Sequence, residues 1–198
     1  MIRKILVLSL CVVFLPAAHA ESFASSLLSR AKTALDFKTV DAPTTQLIEV
    51  GFSPEGSAEK LVLKVIDSTK SSIRLAAYSF TSPTVVRALL AAKKRGVDVV
   101  VVVDEKGNKS KASIQALNLL VNAKIPTRTL SAYAIHHDKF IISDSRHIKT
   151  GSFNYSVSAN KRNSENVLVV WNNPPLAGQY LMHWESRYAQ GRDYHSTY

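Results

Sequence analysis

The chain has 198 residues, 46% of them hydrophobic and 8% aromatic, with 25 Lys and Arg against 15 Asp and Glu for a formal net charge of +10. That composition excludes a disordered chain and gives room for one domain that buries about 70% of its unfolded surface. The positive excess favours polyanions or anionic surfaces as partners and says nothing about fold.

Residues 1–20 read as a segment apart. Arg3 and Lys4 precede an apolar run from Ile5 to Pro16, and Ala18-His19-Ala20 has the small-x-small form of a cleavage site. About a dozen apolar residues are too few for a bilayer, which needs about 20. A cleaved export signal is expected, leading to the periplasm, with no stable membrane insertion after cleavage. The only cysteine, Cys11, lies in this segment, so the mature chain is expected to carry no disulfide. Losing Arg3 and Lys4 takes two charges from +10 and leaves +8.

Residues 21–45 are expected to be an N-terminal helix and connector. Apolar residues at 23, 27, 28, 31 and 35 have helical spacing, and Pro43 among threonines marks the connector. Residues 46–198 then form a single domain in which strands and helices alternate. A strand over Gln46–Val50 leads to a helix capped by Ser57 and running to about Asp67. Ile73–Phe80 is a strand, Ser82-Pro83 opens a helix that ends before Gly96, and Val97–Val103 reads as a central strand buried on both faces. A basic loop at 104–112 holds Lys106, Lys109 and Lys111 at the C-terminal end of that strand, the usual binding edge of an open α/β sheet. Further elements are a helix at 113–121, strands near 125–130, 139–143 and 147–150, a short helical turn after Asn154, a strand at 167–171 and a helix from Pro175 to about Tyr188. The order predicts an α/β fold: a mixed, largely parallel β-sheet with helices on both faces.

The chemistry concentrates in residues 135–166. His137, Lys139 and Asp144 follow an H-x-K-x4-D spacing, Gly151-Ser152-x-Asn154 comes next, and Glu165 lies beyond it. On a strand His137 and Lys139 share a face, whereas Asp144, five residues from Lys139, faces away. An imidazole can attack phosphorus, an ammonium can hold a phosphate oxygen, and a Gly-Ser turn followed by Asn supplies donors for the rest. One His, one Lys and an amide do not make a cage for zinc or magnesium, so no metal and no cofactor are expected. A lone His beside a Lys is ordinary; the conjunction of six residue types at set spacings is not.

His137-x-Lys139-x4-Asp144-x6-Gly151-Ser152-x-Asn154 resembles the signature of the phospholipase D superfamily. From about Leu47 onward, including Gly51-Phe-Ser-Pro-Glu-Gly56 and Ala77-Tyr-Ser-Phe80, the chain resembles that family's small, single-motif bacterial endonucleases. The resemblance implies a phospholipase D-like fold with His137 as the nucleophile that forms a phosphohistidine. It implies that Lys139, Ser152 and Asn154 hold the phosphate and that Glu165 orients the imidazole. Asp144 and Gly151 are expected to shape the site from behind.

In the resembled family two signature motifs face each other, and this chain has one. A twofold homodimer would bring His137 against its symmetry mate, one imidazole attacking and the other donating a proton. His136, His147 and His183 are the other histidines available within the chain as donors. The expected activity is hydrolysis of DNA or RNA by a secreted endonuclease, with Lys106, Lys109 and Lys111 as nucleic-acid contacts. The rival substrate is a phospholipid, cleaved or transferred by the same chemistry. The basic charge and the lack of an apolar docking stretch in the mature chain argue against it.

Overall fold

The computed structural model describes residues 39–196. The export signal expected at 1–20 and the helix expected at 21–37 lie outside them. Eight strands form one sheet: β1 (Leu47–Ser53), β2 (Ser72–Ala77), β3 (Asp98–Asp104), β4 (Thr127–Leu130), β5 (Lys139–Ser143), β6 (His147–Thr150), β7 (Glu165–Trp171) and β8 (Arg192–Asp193). Among the described residues five α-helices accompany them: α1 (Ser57–Ser68), α2 (Pro83–Lys94), α3 (Lys111–Asn122), α4 (Val157–Lys161) and α5 (Pro174–Gln190).

Local chemistry sets the helix ends. The Ser82 hydroxyl accepts from Val85 N at 3.3 Å ahead of Pro83, and Gly96 beyond α2 takes a left-handed φ of +88° that a side chain would resist. Ser110 caps α3 and Asn173 caps α5 in the same way. The expected Ser57 cap is different. Gly56 occupies the capping position with φ +86°, and the Ser57 hydroxyl instead bonds both the N–H and the carbonyl of Phe52.

The strand order is β1-β7-β6-β5-β2-β3-β4-β8. The sheet is mixed and has helices on both faces, as expected, but it is not largely parallel. Only β2–β3 and β3–β4 run parallel, while the other five pairings are antiparallel. The connections explain this. Helical crossovers through α2 and α3 allow parallel neighbours, whereas the short link from Ser143 to His147 can only reverse the chain.

Period-two alternation splits the core. Leu75, Val99, Val101, Val103, Ile141 and Val169 pack under α1, α2 and α3. Ala76, Val102, Phe140, Ile142 and Ile148 face the other way, under Ala177 and Trp184 of α5. Each such buried Val or Leu contributes roughly 1.5–3 kcal/mol. The valine run of β3 is therefore buried on both faces. One consequence governs function. Because β5 runs against β2, and β7 against β1, the ends Ala77, Asp104, Lys139, Thr150, Glu165 and Ser53 all gather at one edge of the sheet.

Candidate active site

At that edge, Lys139 opens β5 with its side chain 7% exposed, while His137 just before it is exposed. The Lys139 ammonium donates to the His137 carbonyl at 2.8 Å and lies 5.3 Å from the Tyr78 ring centroid. The same ring packs on the His137 imidazole with centroids 4.8 Å apart. Burial pulls the Lys139 ammonium below its usual range, against the opposing charges of Glu165 and Asp138. An ammonium held dry beside an exposed imidazole suits a phosphate that arrives with its own charge.

The turn after β6 supplies the other signature groups. Gly151 adopts φ +134°, and a Cβ there would collide with the Asn166 carbonyl oxygen, so only glycine fits. The Ser152 hydroxyl oxygen accepts from Asn166 N at 3.1 Å. Asn154 Oδ1 accepts from Ser79 N at 3.4 Å, which leaves its amide nitrogen as the donor end. Glu165 Oε1 accepts from Asn163 Nδ2 at 2.9 Å, and among the described residues no hydrogen bond joins Glu165 to His137. Within one chain its link to the site is through charge, felt at Lys139.

A cleft of about 410 Å³ opens here, lined by His137, Lys139, Thr150, Gly151, Tyr180 and His183 among others; Ser152, Asn154 and Glu165 lie outside its lining. Asp144 sits at the opposite end of β5. Its carboxylate accepts from the backbone N–H groups of Lys70, Ser71 and Ser72, which places it in the architecture of the sheet rather than at the cleft. The three lysines of the basic loop are exposed, with Lys109 3.8 Å from Glu105. Their loop is tied to the site: Asn108 Nδ2 donates to the Tyr78 carbonyl at 2.6 Å, and Asn108 Oδ1 accepts from Phe80 N.

Three parts of the site have no role that the sequence alone predicts. Tyr78 links His137 to Lys139. Asp104, 2% exposed, accepts from Gly107 N at 2.6 Å and His136 N at 2.7 Å, pinning both the basic loop and the approach to His137. Its signal is a carboxylate closing an otherwise apolar buried strand. Asp138 Oδ2 lies 2.9 Å from His183 Nε2 and 3.3 Å from His136 Nδ1. Of the three other candidate donors, His183 alone lines the cleft. His136 is buried, and burial lowers its basicity against the pull of Asp138 and Asp104. His147 accepts from Asn172 N at the far end of the sheet.

The chain is similar to known proteins. The family model "Cardiolipin synthase, PLD-like domain" matches residues 62–187. A phospholipase D of Rickettsia bellii is 37% identical over 139 residues, 70% of this chain and 68% of that protein. The human mitochondrial cardiolipin hydrolase is 34% identical over 65% of this chain and 53% of its own length. The crystal structure of Nuc, a phospholipase D family member from Salmonella typhimurium, superposes with a TM-score of 0.76 at 56% identity. That match covers 76% of this chain and 99% of Nuc. With the family model spanning most of the sequence and the His137, Lys139, Ser152 and Asn154 positions of the signature at one sheet edge, the chain belongs to the phospholipase D superfamily, a class of phosphodiesterases.

Proposed function

We propose that the chain is a metal-independent nuclease that hydrolyses phosphodiester bonds of DNA or RNA through a phosphohistidine on His137. The observation that carries this reading is the exposed His137 imidazole beside the buried Lys139 ammonium, with hydroxyl and amide donors on the neighbouring turn. An imidazole nitrogen attacks phosphorus and the P–O bond to the leaving alkoxide breaks as that oxygen takes a proton. Water then attacks the phosphohistidine, the P–N bond breaks, and the imidazole is regenerated. Lys139, Ser152 and Asn154 bind the non-bridging oxygens. Glu165 supports the imidazolium, which requires its carboxylate to turn from Asn163. The net positive charge and the exposed Lys106, Lys109 and Lys111 favour a polyanionic substrate.

The site is proposed to be completed by a second copy. β1 is the outer strand on its side of the sheet, and Leu47, Ile48, Val50 and Phe52 are each more than half exposed on it. Apolar strips of this kind on an edge strand are surfaces that pairing covers. A within-chain reading competes with it, because His183 lines the same cleft and is held by Asp138. The protein is proposed to act in the periplasm; among the described residues no helix is long and apolar enough to cross a membrane.

Purified protein incubated with plasmid, RNA and phospholipid in excess EDTA tests the proposal. Nucleic acid should be cut, and acid quenching should leave phosphate on His137. Cleavage of phospholipid alone would replace the substrate, and activity that returns only with added magnesium or zinc would replace the mechanism.

A further inference from the structure

Lys149 is fully buried, yet the proposed reaction does not use it. In the ladders it stands opposite Ile141 of β5 and Val169 of β7, both part of the core under α1–α3. Its ammonium donates to the Lys139 carbonyl at 3.2 Å and reaches the Phe153 carbonyl at 3.5 Å. It lies 4.7 Å from the Tyr155 ring centroid and 5.8 Å from that of Phe153. No carboxylate is hydrogen-bonded to it among the described residues; the charged and titratable groups around it are Lys139, Glu165 and Tyr155. Burial, joined by the like charge of Lys139 and opposed by Glu165, pushes it down to about 7.

A methionine or leucine would fill this space without burying an ammonium, so packing does not explain a lysine. What it joins does. The β5–β6 ladder ends at Ile141 and Lys149, two residues short of Lys139. Beyond that point the His137–Lys139 segment and the Ser152–Asn154 turn diverge with no backbone pairing between them. The Lys149 side chain spans that gap, one bond to each segment.

We propose that Lys149 is a positioning residue for the phosphate site, its ammonium tying the Lys139 carbonyl to the Phe153 carbonyl and fixing the separation of the two halves of the signature. The tie rests on the phosphodiesterase reading only for what the site does.

The test compares the parent protein with Lys149→Met and Lys149→Gln, the second keeping a donor without the charge. The readouts are Tm, calorimetric binding of inorganic phosphate, and kcat/KM on bis(p-nitrophenyl) phosphate across the neutral pH range. Lys149→Met should keep or raise Tm, while phosphate affinity and kcat/KM each fall about tenfold, the effect of losing one charged hydrogen bond. Lys149→Gln should fall between the two, and it decides the matter alone if the Met variant does not fold. The contribution of this ammonium to the parent's pH profile, centred at about 7, should be lost in both variants while the dependence carried by the histidines remains. Parent-like phosphate binding, kcat/KM and pH profile in the variants would overturn the proposal. If the parent binds phosphate but cleaves no phosphodiester, the functional reading fails instead, and the phosphate affinities still decide the tie.

Discussion

The two ends of β5 are both polar and follow opposite rules. At one end the Asp144 carboxylate is saturated: Oδ1 accepts from Ser71 N at 2.7 Å, Ser71 Oγ at 2.8 Å and Ser72 N at 3.0 Å, and Oδ2 from Lys70 N at 3.0 Å. At the other end the His137 ring makes no hydrogen bond among the described residues, and the Lys139 ammonium makes one, to a carbonyl. The filled end reads as architecture, whereas the buried Lys139 ammonium, with one carbonyl acceptor for its three donors, keeps capacity for a ligand's oxygens. The signature therefore mixes two jobs, and its Asp does a different one from its His and Lys.

The largest expected effect breaks the open end. His137→Ala should abolish turnover with Tm unchanged, because an exposed ring contributes little to the core. Mixed with wild type in equal amounts at random, it should reduce activity to about a quarter if each site needs both copies, as symmetric pairing requires. Half the activity remaining would put a complete site in each chain, and loss of turnover in His183→Ala would then assign the proton donor to His183.

Breaking the filled end should do the reverse. Asp144→Ala should lower stability by roughly 2 kcal/mol, since several backbone donors lose their acceptor, yet leave activity per folded molecule intact. Burial raises the Asp144 pKa, but the N–H groups of Lys70, Ser71 and Ser72 and the Ser71 hydroxyl outweigh it and hold it below the usual value. A carboxyl depressed on folding stabilises above its unfolded pKa and loses that contribution as pH falls through the folded one. The urea midpoints of wild type and Asp144→Asn should therefore converge below about pH 4. A gap that persists at low pH would mean that ionisation contributes nothing.

The smallest effect asks how far the open end extends. Replacing Lys106, Lys109 and Lys111 by Ala should weaken binding to all DNA sequences alike. The slope of log affinity against log salt should become shallower by about 0.9 for each phosphate that the variant no longer neutralises. An unchanged slope would confine the open end to the cleft.

Much of this is legible in the sequence, because period and spacing are local. The valine run of β3, the Ser82-Pro83 start of α2 and the H-x-K-x4-D spacing each appear where their residues predict. Strand direction is not legible: periodicity tells which face a residue takes, not which neighbour its strand meets or in which sense. That is why the sequence predicts a more parallel sheet than the one that forms, and why it gives no sign of the two-residue β8. Tyr78, Asp104 and Lys149 stay hidden for a related reason. Their partners at 137, 136 and 153 are fixed by tertiary packing, and a buried lysine in an apolar strand looks like any solvated one. Asp144 differs again: strand alternation from Lys139 does not place it, because it lies beyond β5 in a turn with φ +52°.

Tyr78 also makes the site observable. An aromatic ring whose centroid is 4.8 Å from an imidazole displaces that imidazole's proton resonances by its ring current. His137 should therefore give a signal shifted from that of a solvated ring, as should His147 with its ring 5.1 Å from that of Trp171, and replacing Tyr78 tells the two apart. The titration of His137 and any covalent change at its nitrogens could then be followed by proton spectroscopy on unlabelled protein. The residue that packs on the proposed nucleophile also serves as its spectroscopic reporter.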